Sequence, residues 1–328
     1  MACPAAAAAL LMLFAAVPAG AGSSWQKVGD DARSGVSGLA HEGPADGGAA
    51  VRVLVVHDNK RSGQQRLSRI THRKGSVRVA PITWDGPQPV DLEAIEAVPG
   101  RAGEYLALAS RGIVHHLKVT GSMARVVDYS PLPAVGEGDD FESFALVAAN
   151  GRLAAVWADR GAGTKRPSTL YTAPLMFTPR GQPQFATVTR RTYRAAYPTD
   201  EGTRHISDIS VTDSGRLIVS SASDAGDDGP FDSAVSDAGR VSVTAAGHVH
   251  ITLDAAPSVL GTFPQYKIEG VECLPGTTEA LVGTDDENLG GYVRSMPLCR
   301  AWSPATAANA PTGPTRRSSS ATSVRSSA

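Results

Sequence analysis

The hydrophobic and polar positions of residues 25–302 repeat one unit five times, at intervals of about 50 to 65 residues. Each unit opens with a short apolar strand that a small or acidic residue interrupts, at 36–40, 91–95, 140–144, 205–209 and 267–271. After a turn comes a strongly apolar strand, at 51–56, 105–109, 153–157, 216–220 and 280–283. A polar hairpin and a third strand follow. Short strands joined by Gly, Pro, Asn and Asp turns are typical of antiparallel blades around an axis.

The repeat predicts an all-β fold, a β-propeller with five or six blades of antiparallel strands. The chain lacks the long i, i+3, i+4, i+7 apolar spacing of amphipathic helices, so we expect few helices. A β-sandwich would explain the strands but not the recurrence of one unit. Five units are visible, and a sixth blade would need the N-terminal residues and the segment 166–204. The residues after Trp302 offer no strand that could close the ring.

The two ends of the chain differ in composition from the repeated region 25–302. Residues 1–26 carry no charge, and the apolar run 5–17 is followed by Pro18 and Ala19-Gly20-Ala21, which predicts a secretory signal peptide over 1–21. The run is shorter than the roughly 20 residues of a membrane helix. Residues 303–328 are mostly Ala, Ser, Thr and Pro, which predicts a disordered tail. We therefore expect a secreted, extracellular propeller domain over 25–302.

Composition limits the partners of this domain. The 31 Lys and Arg residues nearly balance the 32 Asp and Glu residues, giving a net charge of −1, whereas a nucleic-acid binder needs a basic surface. Hydrophobic residues make up 42% of the chain, enough for a packed core. We expect a monomer that has no membrane span and binds no nucleic acid. Its partner would be a small-molecule or cell-envelope ligand.

Two cysteines, Cys273 and Cys299, remain after removal of the signal peptide, and an oxidising compartment would allow them to pair. The repeat places them on two non-adjacent strands of one sheet, about 10 Å apart, which is beyond bridging distance. Pairing therefore requires both residues to lie at strand ends, and the sequence leaves both alternatives open.

The repeat also predicts where polar residues meet. In an antiparallel meander the start of the first strand and the hairpin between the second and third strands lie at the same end of the blade. Since the first strand is innermost, Glu93, Glu142, Asp208 and Glu269 should lie at one mouth of the central channel. The same face should carry hairpin and neighbouring groups: His57, Asp58, Asn59, Lys60, Asp159, His205, Asp224, Asp227, Asp228, Lys267, Asp285, Asp286, Glu287 and Asn288.

Carboxylates that converge on a channel repel one another, and a bound cation would relieve this repulsion. Calcium suits such a site because it accepts six to eight oxygen ligands in irregular geometry. The predicted ligands are Glu93, Glu142, Asp208, Glu269, Asp285, Asp286, Glu287 and Asn288. The alternative is that each strand-opening acid accepts backbone N–H bonds from the neighbouring blade and locks the ring.

One unit resembles a known group of proteins. The opening 267–271 (Lys-Ile-Glu-Gly-Val), the next apolar strand and the run 285–288 (Asp-Asp-Glu-Asn) look like secreted propellers of the phytase-esterase-like and SdiA-regulated type. In such families the first strand often reads x-x-Glu-Gly-hydrophobic and acidic groups face a central site. The resemblance covers most of residues 36–300. It implies a propeller fold, with Glu93, Glu142 and Glu269 at the channel.

Two functions fit these observations. The first is a ligand-binding or recognition module whose acidic channel mouth binds a cation, with Asp58, Asn59, Lys60 and Lys267 contacting the ligand. The alternative is a calcium-assisted hydrolase of an ester or phosphoester at the same mouth, with His57 or His205 as general base. The Gly-x-Ser-x-Gly, His-Glu-x-x-His and Cys-x-x-Cys motifs are absent, so the sequence favours the binding function.

Overall fold

A computed structural model of the protein describes residues 24–299, and in that range the chain is almost entirely β-strand. Three short 3₁₀ helices cover Ala32–Ser34, Asp46–Gly48 and Glu287–Leu289. The strands, in chain order, are β1 (Gln26–Lys27), β2 (Gly38–Ala45), β3 (Ala50–Val56), β4 (Leu67–Arg73), β5 (Ser76–Asp85), β6 (Leu92–Ala97), β7 (Glu104–Ala109), β8 (Ile113–Thr120), β9 (Met123–Pro131), β10 (Phe141–Ala149), β11 (Arg152–Asp159), β12 (Ser168–Phe177), β13 (Pro183–Phe185), β14 (Thr189–Tyr193), β15 (Thr203–Val211), β16 (Arg216–Ser223), β17 (Asp232–Val243), β18 (Val249–Thr262), β19 (Ile268–Cys273), β20 (Ala280–Thr284) and β21 (Tyr292–Met296).

The strands form five antiparallel blades, so the predicted β-propeller is confirmed and its blade count is five. The blades are β2–β5, β6–β9, β10–β14, β15–β18 and β19–β21 with β1. The first two blades share one eight-stranded sheet, because their outer strands β5 and β9 pair in parallel. The innermost strands β2, β6, β10, β15 and β19 contact one another in that order, and β19 contacts β2.

Ring closure uses the N-terminal end of the described chain. Gln26 and Lys27 in β1 pair with Val293 and Tyr292 in β21, and so add a fourth, outer strand to the last blade. The segment 166–204 does not build a sixth blade, because β13 and β14 both pair with β12 at the outer edge of the third blade. Of the five or six blades that the sequence left open, the chain therefore forms five.

The hydrophobic core is divided into five clusters, one at each interface between neighbouring blades. Alternation along each strand explains this division, since successive side chains point to opposite faces of a sheet. In β11, Ala154 and Val156 pack against the fourth blade, whereas Ala155 and Trp157 pack towards the second. The period-two apolar pattern of the sequence is therefore the pattern of contact between blades.

Two sequence predictions concern residues that the structure does not describe. The signal peptide at 1–21 and the tail at 303–328 lie outside residues 24–299. Within those described residues, no helix has the length and apolar character needed to cross a membrane.

Cys273 and Cys299 form a disulfide, with their Cα atoms 5.7 Å apart. Cys273 is the last residue of β19, and Cys299 lies three residues beyond the end of β21. There the chain turns back, and the amide of Cys299 donates to the carbonyl oxygen of Thr278 at 3.0 Å. Both cysteines thus lie at strand ends, which is the arrangement that pairing required.

Replacing Cys273 and Cys299 together by serine should lower the free energy of unfolding by about 3 kcal/mol, because the bond closes a loop across 26 residues of the unfolded chain. Urea denaturation of the purified protein measures this loss. As a control, a reductant should lower wild-type stability to that of the double variant and leave the variant unchanged. Equal stability of the oxidised wild type and the variant would contradict the prediction.

Candidate functional site

Three glutamates of the inner strands lie on β-bulges at equivalent positions. Between β6 and β7, Leu92 faces Ala109 and Ala94 faces Leu108, which leaves Glu93 as the extra residue. Glu142 is the extra residue between β10 and β11, and Glu269 is the extra residue between β19 and β20. Bulges re-aim side chains and are frequent beside functional sites. We call Glu93, Glu142 and Glu269 the bulge glutamates.

The bulge glutamates converge at one mouth of the channel, as the topology predicted. Their exposed fractions are 8%, 4% and 4%. Burial raises the pKa of Glu93 well above its usual value, and the nearby charges of Glu142 and Glu269 raise it further. Burial is also the main cause that raises the pKa of Glu142 to about 7. The site therefore contains carboxyl groups that hold protons near neutral pH.

Two cationic side chains lie among these carboxyls. Arg204, at the start of β15, places Nη1 3.0 Å from Oε1 of Glu269 and 3.8 Å from Oε2 of Glu142, and its Nη2 pairs with Asp224. Lys267 is buried, with Nζ 3.3 Å from Oε1 of Glu269. Burial by itself would lower the pKa of Arg204, but Glu142 and Glu269 raise it above the usual value. The protein thus supplies its own counter-charges.

The rim of the mouth carries further charged groups. Arg160 bonds Oε1 of Glu142 at 3.0 Å and pairs with Asp140 at 3.1 Å. Lys60 pairs with Asp91 at 3.0 Å. Burial raises the pKa of Asp58 to about 6; the charge of Glu269 adds to this, and that of Lys60 opposes it. Asn59 instead supports its loop, since its Nδ2 donates to the carbonyl oxygens of Arg33 and Gln65.

The acidic hairpin of the fifth blade is held by internal bonds. Asp285 is buried, and its Oδ1 accepts from the amide of Glu287 at 3.2 Å. The absence of a Cβ at Gly35 admits this carboxyl, since a Cβ there would lie 2.3 Å from its Cγ. Asp286 accepts from the amide of Lys267 at 2.6 Å, and Glu287 pairs with Nζ of the same lysine. Asn288 donates to Asp228 at 3.1 Å.

Asp208 lies deeper in the channel and joins two blades. Its Oδ2 accepts from the amide of Val271 in β19 at 2.7 Å, and its Oδ1 accepts from the amide of Ile209 at 2.8 Å. The sequence analysis left open that a strand-opening acid accepts backbone N–H bonds from the neighbouring blade, and Asp208 makes such a bond. Asp208 is therefore a structural group of the ring.

Two further channel acids, Glu96 and Glu272, were missed by the sequence analysis. Each lies three residues after a bulge glutamate, where a regular strand would point it to the opposite face. The bulge shifts the alternation by one residue, so both side chains enter the channel wall. Burial raises the pKa of Glu272 to about 8, although its Oε1 accepts from the amide of His41 at 2.8 Å. The repeated Glu-x-x-Glu spacing was the available signal.

Both histidines predicted as general bases have structural partners. Nδ1 of His57 bonds the carbonyl oxygen of Gly35 at 2.6 Å, and Nε2 bonds Oγ of Ser68 at 2.8 Å. In His205, Nε2 bonds the carbonyl oxygen of Gly163 at 2.9 Å, and Nδ1 accepts from the amide of Ala195 at 3.2 Å. With both ring nitrogens of each histidine engaged and both rings buried, neither is placed to take a substrate proton.

The calcium prediction can be compared with the positions of its ligands. Across the described range 24–299, no group of three or more His, Cys, Asp and Glu side chains is arranged to hold a metal ion. Glu142 and Glu269 instead pair with Arg204, and Glu269 and Glu287 with Lys267. These residues do not form a ready calcium cage, and calcium binding stays a prediction.

Two cavities flank the fourth-blade hairpin on the acidic face. The larger, of about 590 Å³, lies between the fourth and fifth blades. Phe231, Tyr266 and Tyr292 line it together with Asp228, Asp286 and the ion pair of Lys27 with Asp30. The second cavity, of about 510 Å³, also meets Phe231 and is lined by Asp200, Asp224 and Asp232. Both cavities fall within the roughly 300–1,000 Å³ of small-molecule sites.

Comparisons with known proteins give limited similarity. No model of a protein family matches the chain. No curated protein matches it either. Among solved structures, the GH43 protein BlXynB from Bacillus licheniformis is similar at 13% identity and a TM-score of 0.37, covering 71% of this chain and 48% of that one. A mutant of the same protein is similar at 14% identity and a TM-score of 0.40, and the match covers 64% of this chain and 42% of that one. The match therefore covers less than half the length of both of those chains.

Free energy of unfolding should fall as the pH rises from 5 to 8. Glu142 and Glu272 keep protons in the folded state at pH values where the unfolded chain has lost them, so the folded state binds more protons in this range. Glu142→Gln and Glu272→Gln should each flatten the slope, whereas Glu137→Gln, at an exposed loop position, should not. Urea denaturation at several pH values measures the free energy of unfolding, and a wild-type value that does not change with pH would contradict the prediction.

Arg204→Gln should lower the free energy of unfolding by about 2 kcal/mol at pH 8, because buried Glu142 and Glu269 each lose one of their two cationic partners and keep only Arg160 and Lys267. At pH 5 the loss should be smaller, since Glu142, whose pKa burial raises to about 7, then takes up a proton. Arg111→Gln, at an exposed hairpin position, should change stability by less than about 0.5 kcal/mol. An equal loss at both pH values would show that Arg204 acts through packing and not charge.

Proposed function

We propose that this propeller is a binding protein whose acidic face takes a small cationic ligand. The observation that carries the proposal is the excess of carboxyl groups over cationic groups at the acidic mouth. Eight carboxyls, of Asp58, Asp91, Glu93, Asp140, Glu142, Asp224, Glu269 and Glu287, face the four cations of Lys60, Arg160, Arg204 and Lys267. An added positive charge would stabilise the ionised forms of carboxyls that burial keeps protonated.

The aromatic cavity between the fourth and fifth blades favours an organic ammonium ion as the ligand. Aromatic faces attract cations, and carboxyls beside them strengthen the attraction. The protein's own ammonium groups already use these faces, with Nζ of Lys27 5.6 Å from the ring centre of Tyr292 and Nζ of Lys267 5.7 Å from that of Phe231. Asp228 and Asp286 line the same cavity. Calcium, which is also a cation, is the alternative ligand.

Titration calorimetry at pH 7 with spermidine, with calcium chloride and with glycerol tests the proposal. Spermidine should bind and glycerol should not. The measured heat should depend on the ionisation enthalpy of the buffer, because a cation bound in the cavity lowers the pKa of Asp286, which burial raises to about 6, and so releases protons.

Matched variants locate the binding. Asp228→Asn, which removes an exposed carboxyl that lines the aromatic cavity, should weaken the binding of spermidine about tenfold, which corresponds to the removal of one nearby charge. Glu137→Gln removes an exposed carboxyl elsewhere and should leave binding unchanged. Heat with calcium alone would identify the ligand as a metal ion. The absence of heat with both cations at millimolar concentration would overturn the proposal.

A hydrolase remains the second candidate, and one observation favours it. With its pKa raised to about 7, Glu142 is near half-protonated at neutral pH, as a general acid must be, while Glu269 beside it is paired with Arg204. The substrate class would be an ester or phosphoester, with a carboxyl in place of histidine. Turnover of p-nitrophenyl acetate or phosphate that Glu142→Gln abolishes and Glu137→Gln retains would support it. The absence of turnover would leave the binding function.

A further inference from the structure

A lysine of the protein itself lines the aromatic cavity between the fourth and fifth blades. Lys27 is the second residue of β1, the short strand that closes the ring, and it pairs with Tyr292 of β21. Its Nζ forms an ion pair with Asp30 and lies 5.6 Å from the ring centre of Tyr292. The cavity therefore already contains one ammonium group, which is bound to a carboxylate and to an aromatic ring.

Lys27 is the one cation among the described residues that line this cavity, and the carboxyls are those of Asp30, Asp228 and Asp286. Asp228 accepts from Nδ2 of Asn288 at 3.1 Å, and Asp286 accepts from a backbone amide. Asp30 is thus the lining carboxyl that has an ammonium group as its partner. An ammonium ion from solution would find its best-matched partners, Asp30 and Tyr292, already in use.

The contacts that hold Lys27 are of the weak, exposed kind. The side chain of Lys27 is 45% exposed and that of Asp30 is 85% exposed. The hydrogen bond to Asp30 raises the pKa of Lys27 above its usual value, so the side chain keeps its charge. A surface ion pair and an exposed cation–π contact together favour the position of Lys27 in the cavity roughly tenfold. A ligand of the same chemistry can therefore exchange with it.

Lys267, the other ammonium group beside these rings, differs in this respect. It is 1% exposed, and its Nζ pairs with Glu269 and Glu287. Moving it would leave the buried carboxyl of Glu269 without one of its cations, which is costly. Of the two lysines, Lys27 is therefore the one that a ligand displaces.

We propose that Lys27 is an internal competitor for the organic ammonium ligand, which must displace it from Asp30 and Tyr292 to fill the cavity. This inference rests on the proposed function, because it concerns the regulation of the same site. The ammonium group of a ligand has the charge and the partners of Nζ of Lys27, so the two exclude each other. The apparent affinity is then reduced by the fraction of molecules in which Lys27 has left the cavity.

Calorimetric titration of the wild type and of Lys27→Ala with spermidine tests the proposal. The variant should bind about tenfold more tightly, because its cavity is open in every molecule. The side chain of Lys27 is about half exposed, so the fold should tolerate the change. As a control, Lys74→Ala removes an exposed lysine from the turn between β4 and β5 and should leave the affinity unchanged.

Nuclear magnetic resonance of protein labelled with carbon-13 at lysine follows the displacement itself. The signal that Lys27→Ala removes identifies the Cε group of Lys27, and the ring current of Tyr292 shifts this signal while Nζ lies beside the ring. Saturating spermidine should move the signal of the wild type to the position of an exposed lysine, whereas the signal of Lys74 should not move.

The two measurements separate this inference from the proposed function. If spermidine binds the wild type, either an unmoved Lys27 signal or an affinity equal to that of Lys27→Ala would overturn the inference and leave the proposed function supported. If spermidine binds neither the wild type nor Lys27→Ala, the proposed function fails, and the inference fails with it.

Discussion

The convergence of five inner strands on one axis is the constraint from which the chemistry of this protein follows. Because β2, β6, β10, β15 and β19 contact one another around the channel, any polar residue near the start of one strand meets those of the others. Glu93, Glu142, Asp208 and Glu269 are buried there, so water screens their charges only weakly. Carboxyls gathered there must be protonated, bonded to backbone amides or paired with a cation, and the protein uses all three solutions.

Each solution belongs to a different residue. Asp208 accepts from the backbone amide of Val271 across the boundary between the fourth and fifth blades, and from the amide of Ile209 in its own strand. Glu269 pairs with Arg204 and Lys267. Burial and the charges of neighbouring carboxyls raise the pKa of Glu93 well above its usual value, so it holds a proton. This division couples charge at the mouth to the stability of the ring, since a change in one carboxyl alters the energy of its neighbours.

The two ends of the propeller therefore differ in electrostatic character. The acidic mouth and its flanking cavities combine carboxyls with aromatic rings, whereas the cleft between the third and fourth blades is lined by Arg152, His248 and His250 and, among the described residues, by no carboxyl.

The sequence by itself determined the strands, the repeat and the meeting of Glu93, Glu142 and Glu269, because alternation, turn residues and meander geometry are local properties that recur in every unit. Tertiary structure decided the rest. Pairing of β1 with β21, the return of Cys299 to Cys273 and the choice of Arg204 as counter-charge join residues far apart in the chain. The bulges that turn Glu96 and Glu272 into the channel depend on strand register, which is set by the packing between blades and not by the pattern of a single strand.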